Sequence, residues 1–172
     1  SQTTAEVVLD LYNVIRTAAG DAVIIGCNTL SHLTAGIFEA SRIGDDTSGR
    51  DWDRTRRMGV NSLAFRAAQS GAFYAADADC VGLTNAIPWE LNRRWLDLLS
   101  RSGTVLFVSA QKEATGPEQQ KALKEAFSIA AEPQPLGEPL DWMETTSPRS
   151  WLLCGEKADY DWNNVGGASP FS

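Results

Sequence analysis

Histidine is nearly absent from this chain: His32 is the only one in 172 residues. Cysteine is scarce too. Cys27, Cys80 and Cys154 form an odd, widely spaced set with no Cys-x-x-Cys pair. A zinc site needs more ligands at closer spacing, so no metal is expected, and the thiols read as buried free cysteines. No apolar run approaches the roughly 20 residues of a membrane span. Residues 1–20 lack a signal-peptide layout, because acidic and polar residues interrupt the apolar ones. No glycine-rich phosphate loop follows any expected strand, which argues against a doubly wound nucleotide-binding domain. Positive charge is in deficit: 15 Lys and Arg against 22 Asp and Glu give a net charge of -7. Nucleic acid and anionic membrane surfaces are therefore poor partners.

What is present is the composition of a soluble globular protein, 43% hydrophobic and 22% charged, with enough chain for a real core. A secreted or periplasmic location is open to it. Thr3 and Glu6 have capping-box spacing, and Val8, Leu11, Tyr12 and Ile15 follow at helical spacing up to Gly20. This predicts a helix over 4–19. A β-branched run at 22–25 reads as a strand covered on both faces, ending at Gly26-Cys27-Asn28. A loop over 29–36 precedes a second strand over 38–43. A helix over 52–69 follows, with Arg54, Arg56, Arg57 and Arg66 on a solvated side. Residues 72–76 make a third strand that ends at Asp77-Ala78-Asp79-Cys80. Pro88 opens a helix that carries Trp89, Leu91, Trp95, Leu96, Leu98 and Leu99 on its apolar side. A fourth strand spans 104–109, and Pro117 opens a helix to about 131.

Alternating strands and helices at a spacing of about 30 residues imply a parallel sheet. Four such units are half of an eight-fold (β/α)8 TIM-type barrel. The expected fold class is thus α/β, the C-terminal half of such a barrel over 1–132. A proline-rich connector and a short extended or β segment then occupy 133–172. Four strands leave two edges and an open apolar face, which invites self-association into a homo-oligomer.

In α/β folds the C-terminal strand ends carry the chemistry. Here they deliver Cys27 and Asn28, then Arg42, Asp45 and Asp46, then Asp77, Asp79 and Cys80, and finally Ser109, Gln111 and Lys112. Carboxylates, an arginine, an amide and nearby tryptophans suit a sugar. Its hydroxyls take paired polar partners, and its apolar face stacks on aromatic rings. A carboxylic acid beside a glycosidic oxygen can donate its proton, and an adjacent arginine can hold a hydroxyl. On these grounds alone Asp45 and Asp46 are interchangeable candidates, and an adjacent Asp pair also serves as a loop or helix cap. His32 could reach a sugar from its loop, although loop packing accounts for it as well. Trp142, Trp151 and Trp162 could be sugar platforms, although packing suits at least two of them better.

Arg42-Ile43-Gly44-Asp45-Asp46-Thr47, followed by Trp52, resembles the acid/base motif of melibiase-type α-galactosidases, the family 36 glycoside hydrolases and their relatives. Gly26-Cys27-Asn28 is similar to the Gly-Cys-Gly turn on the preceding strand of that family. Asp77-Ala78-Asp79-Cys80 is similar to its Asn-Asp-Pro-Asp-Cys turn on the following strand. The resemblance covers about residues 1–110. It implies a (β/α)8 catalytic barrel followed by a small β-sandwich, retaining hydrolysis of an α-linked oligosaccharide or galactoside, and no cofactor. It makes Asp46 the general acid/base and Arg42 and Cys27 sugar contacts, with Asn28, Asp45 and Trp52 beside them as substrate-binding candidates. Asp45 stands where the family often has proline or a small residue, and Ala76 and Ala78 replace Asn and Pro. These departures leave the identity of the sugar open. A retaining glycosidase needs a second carboxyl as nucleophile. In the family it lies on an earlier strand, which here would precede residue 1, so a missing N-terminal half of the barrel is an expected partner. Asp77 or Asp79 is the alternative within the chain.

Overall fold

The computed structural model describes residues 1–27, 29–47 and 49–163. The first helix, α1 (Thr4–Ala19), starts and stops where its signals lie. Thr3 and Glu6 form the reciprocal capping box, and Gly20 at φ 57° ends the helix. Its apolar side is less buried than its periodicity predicts. Tyr12 is inside, packed on Phe38, while Leu11 and Ile15 are exposed. Polar contacts tie α1 down instead. Arg16 forms an ion pair with Glu39 at 2.6 Å and donates through Nε to the Ile37 carbonyl, while Glu39 accepts from the Ile24 N–H.

Strands β1 (Ile25–Gly26), β2 (Ala40–Arg42) and β3 (Ala75–Asp77) form one parallel ladder, and β4 (Cys80–Leu83) and β5 (Phe107–Ala110) form another. The chain passes from β3 into β4 through Ala78 and Asp79, and the Val105 N–H donates to the Ala76 carbonyl at 3.0 Å. The two ladders are therefore joined by one bent strand, and the fold is mixed α/β with parallel strands. The third expected strand, which was to end at Asp77, instead kinks at Asp79 and runs on to Leu83. The first was to be covered on both faces. It is an edge strand among the described residues, with Val23 72% and Ile25 46% exposed.

The helix expected over 52–69 is one path in several winds. α2 (Trp52–Thr55) passes through a π-helical turn (Arg56–Val60) into α3 (Asn61–Arg66) and a 3-10 turn (Ala67–Gln69). The π turn brings Gly59 against the ring of Trp95, where a Cβ would clash. Helices α4 (Trp89–Ser100) and α5 (Pro117–Ala130) pack on each other, and α4 also packs on β4. Leu91, Trp95, Leu98 and Leu99 of α4 meet Val81 and Leu83 of β4 in the main core.

The proline-rich segment leads into an antiparallel meander of β6 (Glu138–Pro139), β7 (Ser150–Leu153) and β8 (Glu156–Asp159). Trp151 and Leu153 of β7, together with Tyr160 and Trp162, belong to the same core as the helices. The indoles of Trp151 and Trp162 both donate to the Pro148 carbonyl, at 2.9 and 2.6 Å. Trp142 stays on the surface, edge-on to Phe65. Of the three thiols read as buried, Cys27 and Cys154 are exposed and only Cys80 is half-buried. No helix among the described residues is long and apolar enough to cross a membrane.

Trp151 is fully buried and joins the meander to the helical core. Trp151→Ala is expected to cost about 3–5 kcal/mol, read as a lowered urea midpoint with the slope unchanged.

Candidate functional site

The site is built on the end of β2. Its last side chain, Arg42, turns toward β3 and β4, with Nη2 3.0 Å from Asp79 Oδ1 and Nε 4.0 Å from Asp77 Oδ2. Ile43 is buried and its N–H donates to the Asp77 carbonyl at 2.8 Å. Gly44 then passes so close to the π turn that a Cβ would meet the Met58 carbonyl oxygen and the Ser62 side chain. Glycine is required there by close approach of backbone rather than by its φ angle. Beyond it Asp45 and Asp46 face outward, and Thr47 turns back in, fully buried.

Asp79 pulls Thr47 inward. It adopts φ 69°, a left-handed conformation that aspartate tolerates better than most residues. Its N–H donates to Asp77 Oδ1 at 2.8 Å, which stabilises the kink. Its Oδ2 accepts from the Thr47 N–H at 2.6 Å and the Thr47 hydroxyl at 2.9 Å. Burial pushes the Asp79 carboxyl up, but the Thr47 hydrogen bonds, the Cys80 N–H and the Arg42 charge outweigh it and hold the group below the usual aspartate range. Burial pushes Asp77 up, and the Asp79 N–H and Arg42 only partly offset it.

A second brace holds the loop from outside. Arg54 Nε donates to the Asp46 carbonyl at 2.6 Å, and its Nη2 meets Asp45 Oδ2 at 2.9 Å. Asp45 Oδ1 accepts the Asp46 N–H at 2.7 Å. Arg66 Nη1 donates to the Ile43 carbonyl at 2.6 Å. The arginines read as a solvated face are thus largely structural: Arg54 and Arg66 grip the motif, and Arg56 is buried.

Asp46 borders a recess of about 430 Å³ whose other lining residues are Arg50, Cys80, Gly82, Thr84, Ser109 and Gln111. Cys80 and Gly82 are alternate residues of β4 and share one of its faces, with Thr84 just past its end, while Val81 and Leu83 point to the helices. Ser109 sits opposite Gly82 in the ladder. Gly49, just past the motif, packs its backbone on Gly82 so closely that a Cβ on Gly49 would clash with the Gly82 Cα and carbonyl. Burial, with the nearby Asp79 and Asp46 charges adding to it, pushes the Cys80 thiol up, so it is neutral at pH 7.

Of the expected site residues, the structure brings Asp46 together with Cys80, Ser109 and Gln111, although Cys80 begins β4 and Ser109 lies within β5 rather than at a strand end. Arg42, Cys27, Asp45 and Trp52 lie outside that lining. Cys27 is exposed, Asp45 is engaged with Arg54, and Asn28 lies outside the described residues. Trp52 is a correction. It is 5% exposed, its indole donates to the Trp162 carbonyl at 2.8 Å, and its ring packs on Trp162, so it offers no face to a ligand. Asp77 and Asp79 are buried and bonded as described. Thr47, Arg54 and Thr84 were missed. Arg54 alone carried a signal, as a cation in the helix that directly follows the motif.

No protein-family model and no curated protein matches the sequence. Among solved structures the chain is similar to an α-galactosidase from Thermus thermophilus in complex with p-nitrophenyl α-D-galactopyranoside. The TM-score is 0.58 and the identity 17%, over 88% of this chain and 32% of that one. The chain therefore spans about a third of that enzyme's length. At this identity the likeness is one of fold, compatible with part of a glycosidase domain.

Asp79 supplies a linkage test. Its folded pKa is depressed, so its contribution is fully present above the unfolded aspartate value near 3.9 and is lost as pH falls through the folded value. Asp77 acts in the opposite sense: its folded pKa is raised, so its contribution favours low pH and is lost as pH rises through the folded value. Asp79→Asn is expected to lose roughly 1.5–3 kcal/mol at pH 7. The gap to the parent should shrink as pH falls from about 4 to 2, measured by urea midpoints at each pH.

Proposed function

We propose that this chain is the acid/base-bearing part of a glycoside hydrolase that acts on α-linked galactosides with retention. The single observation that carries the reading is the place of Asp46. The acid of the Arg-Ile-Gly-Asp-Asp motif borders an open recess that runs along the parallel strands β4 and β5 to the residues just past their C-terminal ends, Thr84 and Gln111. The likeness in fold to an α-galactosidase supports it. In this reading residues 1–132 are the second half of a (β/α)8 barrel, and residues 133–172 are a connector and the start of a β-domain.

Asp46 protonates the glycosidic oxygen as the sugar–oxygen bond breaks, and then takes a proton from the water that releases the sugar. Thr84, Ser109 and Gln111 supply hydroxyl and amide groups for the sugar, and Arg50 a cation. A neutral Cys80 thiol is no nucleophile. Asp77 and Asp79 are held by backbone, Thr47 and Arg42, and the reading follows the family resemblance in placing the nucleophilic carboxylate on an earlier strand of the parent barrel. Arg42 acts through Asp79 as a positioning residue, and Asp45 acts through Arg54. Cys27 and Asn28, at the end of β1, remain candidates for sugar contact in the assembled barrel.

The test uses the protein as its gene encodes it. Asp46→Ala is expected to lower turnover of an alkyl α-galactoside by about 10²–10⁴-fold. An aryl α-galactoside with a good leaving group should suffer less in the first step, and azide should restore its turnover. Unchanged activity toward the alkyl substrate would refute the role of Asp46.

A second reading is a non-catalytic half-barrel that self-associates, favoured by the exposed Val7, Leu11 and Val14 on α1 and Val23 and Ile25 at the β1 edge. Sedimentation of the 172-residue chain is then expected to show a dimer or larger species. A monomer at all concentrations would count against it.

A further inference from the structure

The recess beside Asp46 holds one cation that no other group of the fold takes up. Among the described residues of its lining, Arg50 is the only basic one and Asp46 the only acidic one. The Cys80 thiol is neutral, and Thr84, Ser109 and Gln111 carry no charge. Arg50 is exposed, and its guanidinium has no ion pair or hydrogen bond among the described residues. Three neighbouring acids have other partners. Asp45 meets Arg54, Asp51 accepts the Asp53 and Arg54 N–H groups at the start of α2, and Asp53 meets Arg56. The other arginines around the motif are engaged as well, Arg42 with Asp79 and Arg66 with the Ile43 carbonyl.

The backbone on both sides of Arg50 is seated. The Gly49 N–H donates to the Thr47 carbonyl at 2.8 Å, and the Gly49 carbonyl accepts from the hydroxyl of Thr84, itself in the lining. On the other side Asp51 caps α2. The cation is therefore carried from a fixed point beside the recess. Water satisfies an exposed guanidinium, and a ligand that fills the recess displaces part of that water. An uncharged sugar offers ordinary hydrogen bonds in exchange. A carboxylate or a sulfate offers paired, charge-assisted ones, about twice as strong, because two of its oxygens match the guanidinium fork. The volume of about 430 Å³ lies within the usual range of small-molecule sites and leaves room for a substituted sugar. The chain as a whole carries a net charge of -7, so the attraction for an anion here is local to Arg50.

We infer, on the reading of the Asp46 recess as a glycoside site, that Arg50 is a specificity-determining residue and that the substrate is a glycoside bearing an anionic substituent, a carboxylate or a sulfate, which pairs with it. The uncharged groups of the lining, Thr84, Ser109 and Gln111, then serve the hydroxyls of the same sugar.

The test again uses the protein as its gene encodes it, and it reads binding separately from turnover. In calorimetry, galacturonate or galactose 6-sulfate is expected to bind about 10–100-fold more tightly than galactose, the equivalent of one hydrogen bond to a charged group. The stronger of the two identifies the substituent as carboxylate or sulfate. Arg50→Gln should remove the advantage, and Arg50→Lys, which keeps the charge without the fork, should keep part of it. Inorganic sulfate should bind more weakly than the sulfated sugar. With p-nitrophenyl α-glycosides of the same three sugars, Arg50→Gln should lower kcat/KM for the better charged substrate about 10-fold more than for the uncharged one. A general loss of folding lowers both alike and leaves that ratio unmoved. The inference is overturned if neither charged sugar binds better than galactose, if Arg50→Gln leaves the advantage unchanged, or if inorganic sulfate binds as tightly as the sulfated sugar. The acid role of Asp46 fails on a different result, unchanged turnover by Asp46→Ala, so the two failures are distinguishable.

Discussion

One buried carboxylate organises the mouth of this fold. Asp79 sits at the bend between β3 and β4 and accepts from the backbone and side chain of Thr47 and from Arg42. Burying a carboxylate is costly, and it is tolerated only where donors replace the water it has lost. The Thr47 N–H and hydroxyl and Arg42 do so here, from the end of β2 and the loop beyond it, together with the backbone N–H of Cys80. The same bonds that make the charge tolerable therefore fix where that loop goes. Without the bend, the strand would continue straight from its pairing with β2, and β4 would lose its place beside β5. The ladder partners on the two sides of Asp79 differ for this reason.

This accounts for which parts of the fold were legible in the sequence. Helix α1 was, because a capping box and a terminal glycine are local signals. So were the ends of α4 and α5, marked by Pro88 and Pro117. The course of β3 into β4 was not. Asp77-Ala78-Asp79 has the composition of a turn, and only the donors supplied by Thr47 and Arg42 make it a bend within a strand. The π turn in the helix after the motif was hidden too, since its sequence keeps helical spacing throughout. The exposure of Leu11, Ile15, Val23 and Ile25 depends on what packs against them, which periodicity does not report.

The site was legible to a similar degree. The motif placed Asp46 just past a strand end, and the recess beside it contains three residues named in advance, Cys80, Ser109 and Gln111, of which only Gln111 follows the end of its strand. Trp52 was expected beside the substrate because it follows the motif, as a tryptophan does in the family the motif resembles. It is covered by Trp162, 110 residues later, and no local pattern announces a pairing of that range. Arg54 and Arg66 were read as solvent-facing because charge on a helix usually is. Here the helix packs over the motif, so its cations meet the carbonyls of Asp46 and Ile43.

Asp46 is thus held from two sides by interactions of different character. On the inner side Asp79 fixes Thr47 through buried, charge-assisted hydrogen bonds, which are strong and insensitive to salt. On the outer side Asp45 and Arg54 form an exposed ion pair, which adds little to stability. Its value is geometric, because Arg54 also holds the carbonyl of Asp46 and Asp45 holds its N–H. Both backbone polar atoms of Asp46 are therefore engaged where the residue borders the recess. A residue on a loop keeps a defined position only if the loop is anchored on either side, as a functional site requires. Gly44 and Gly49 complete the arrangement: one lets the loop press on the π turn, the other lets it press on β4. The acid is carried by an irregular segment, yet each end of that segment is seated on a regular element.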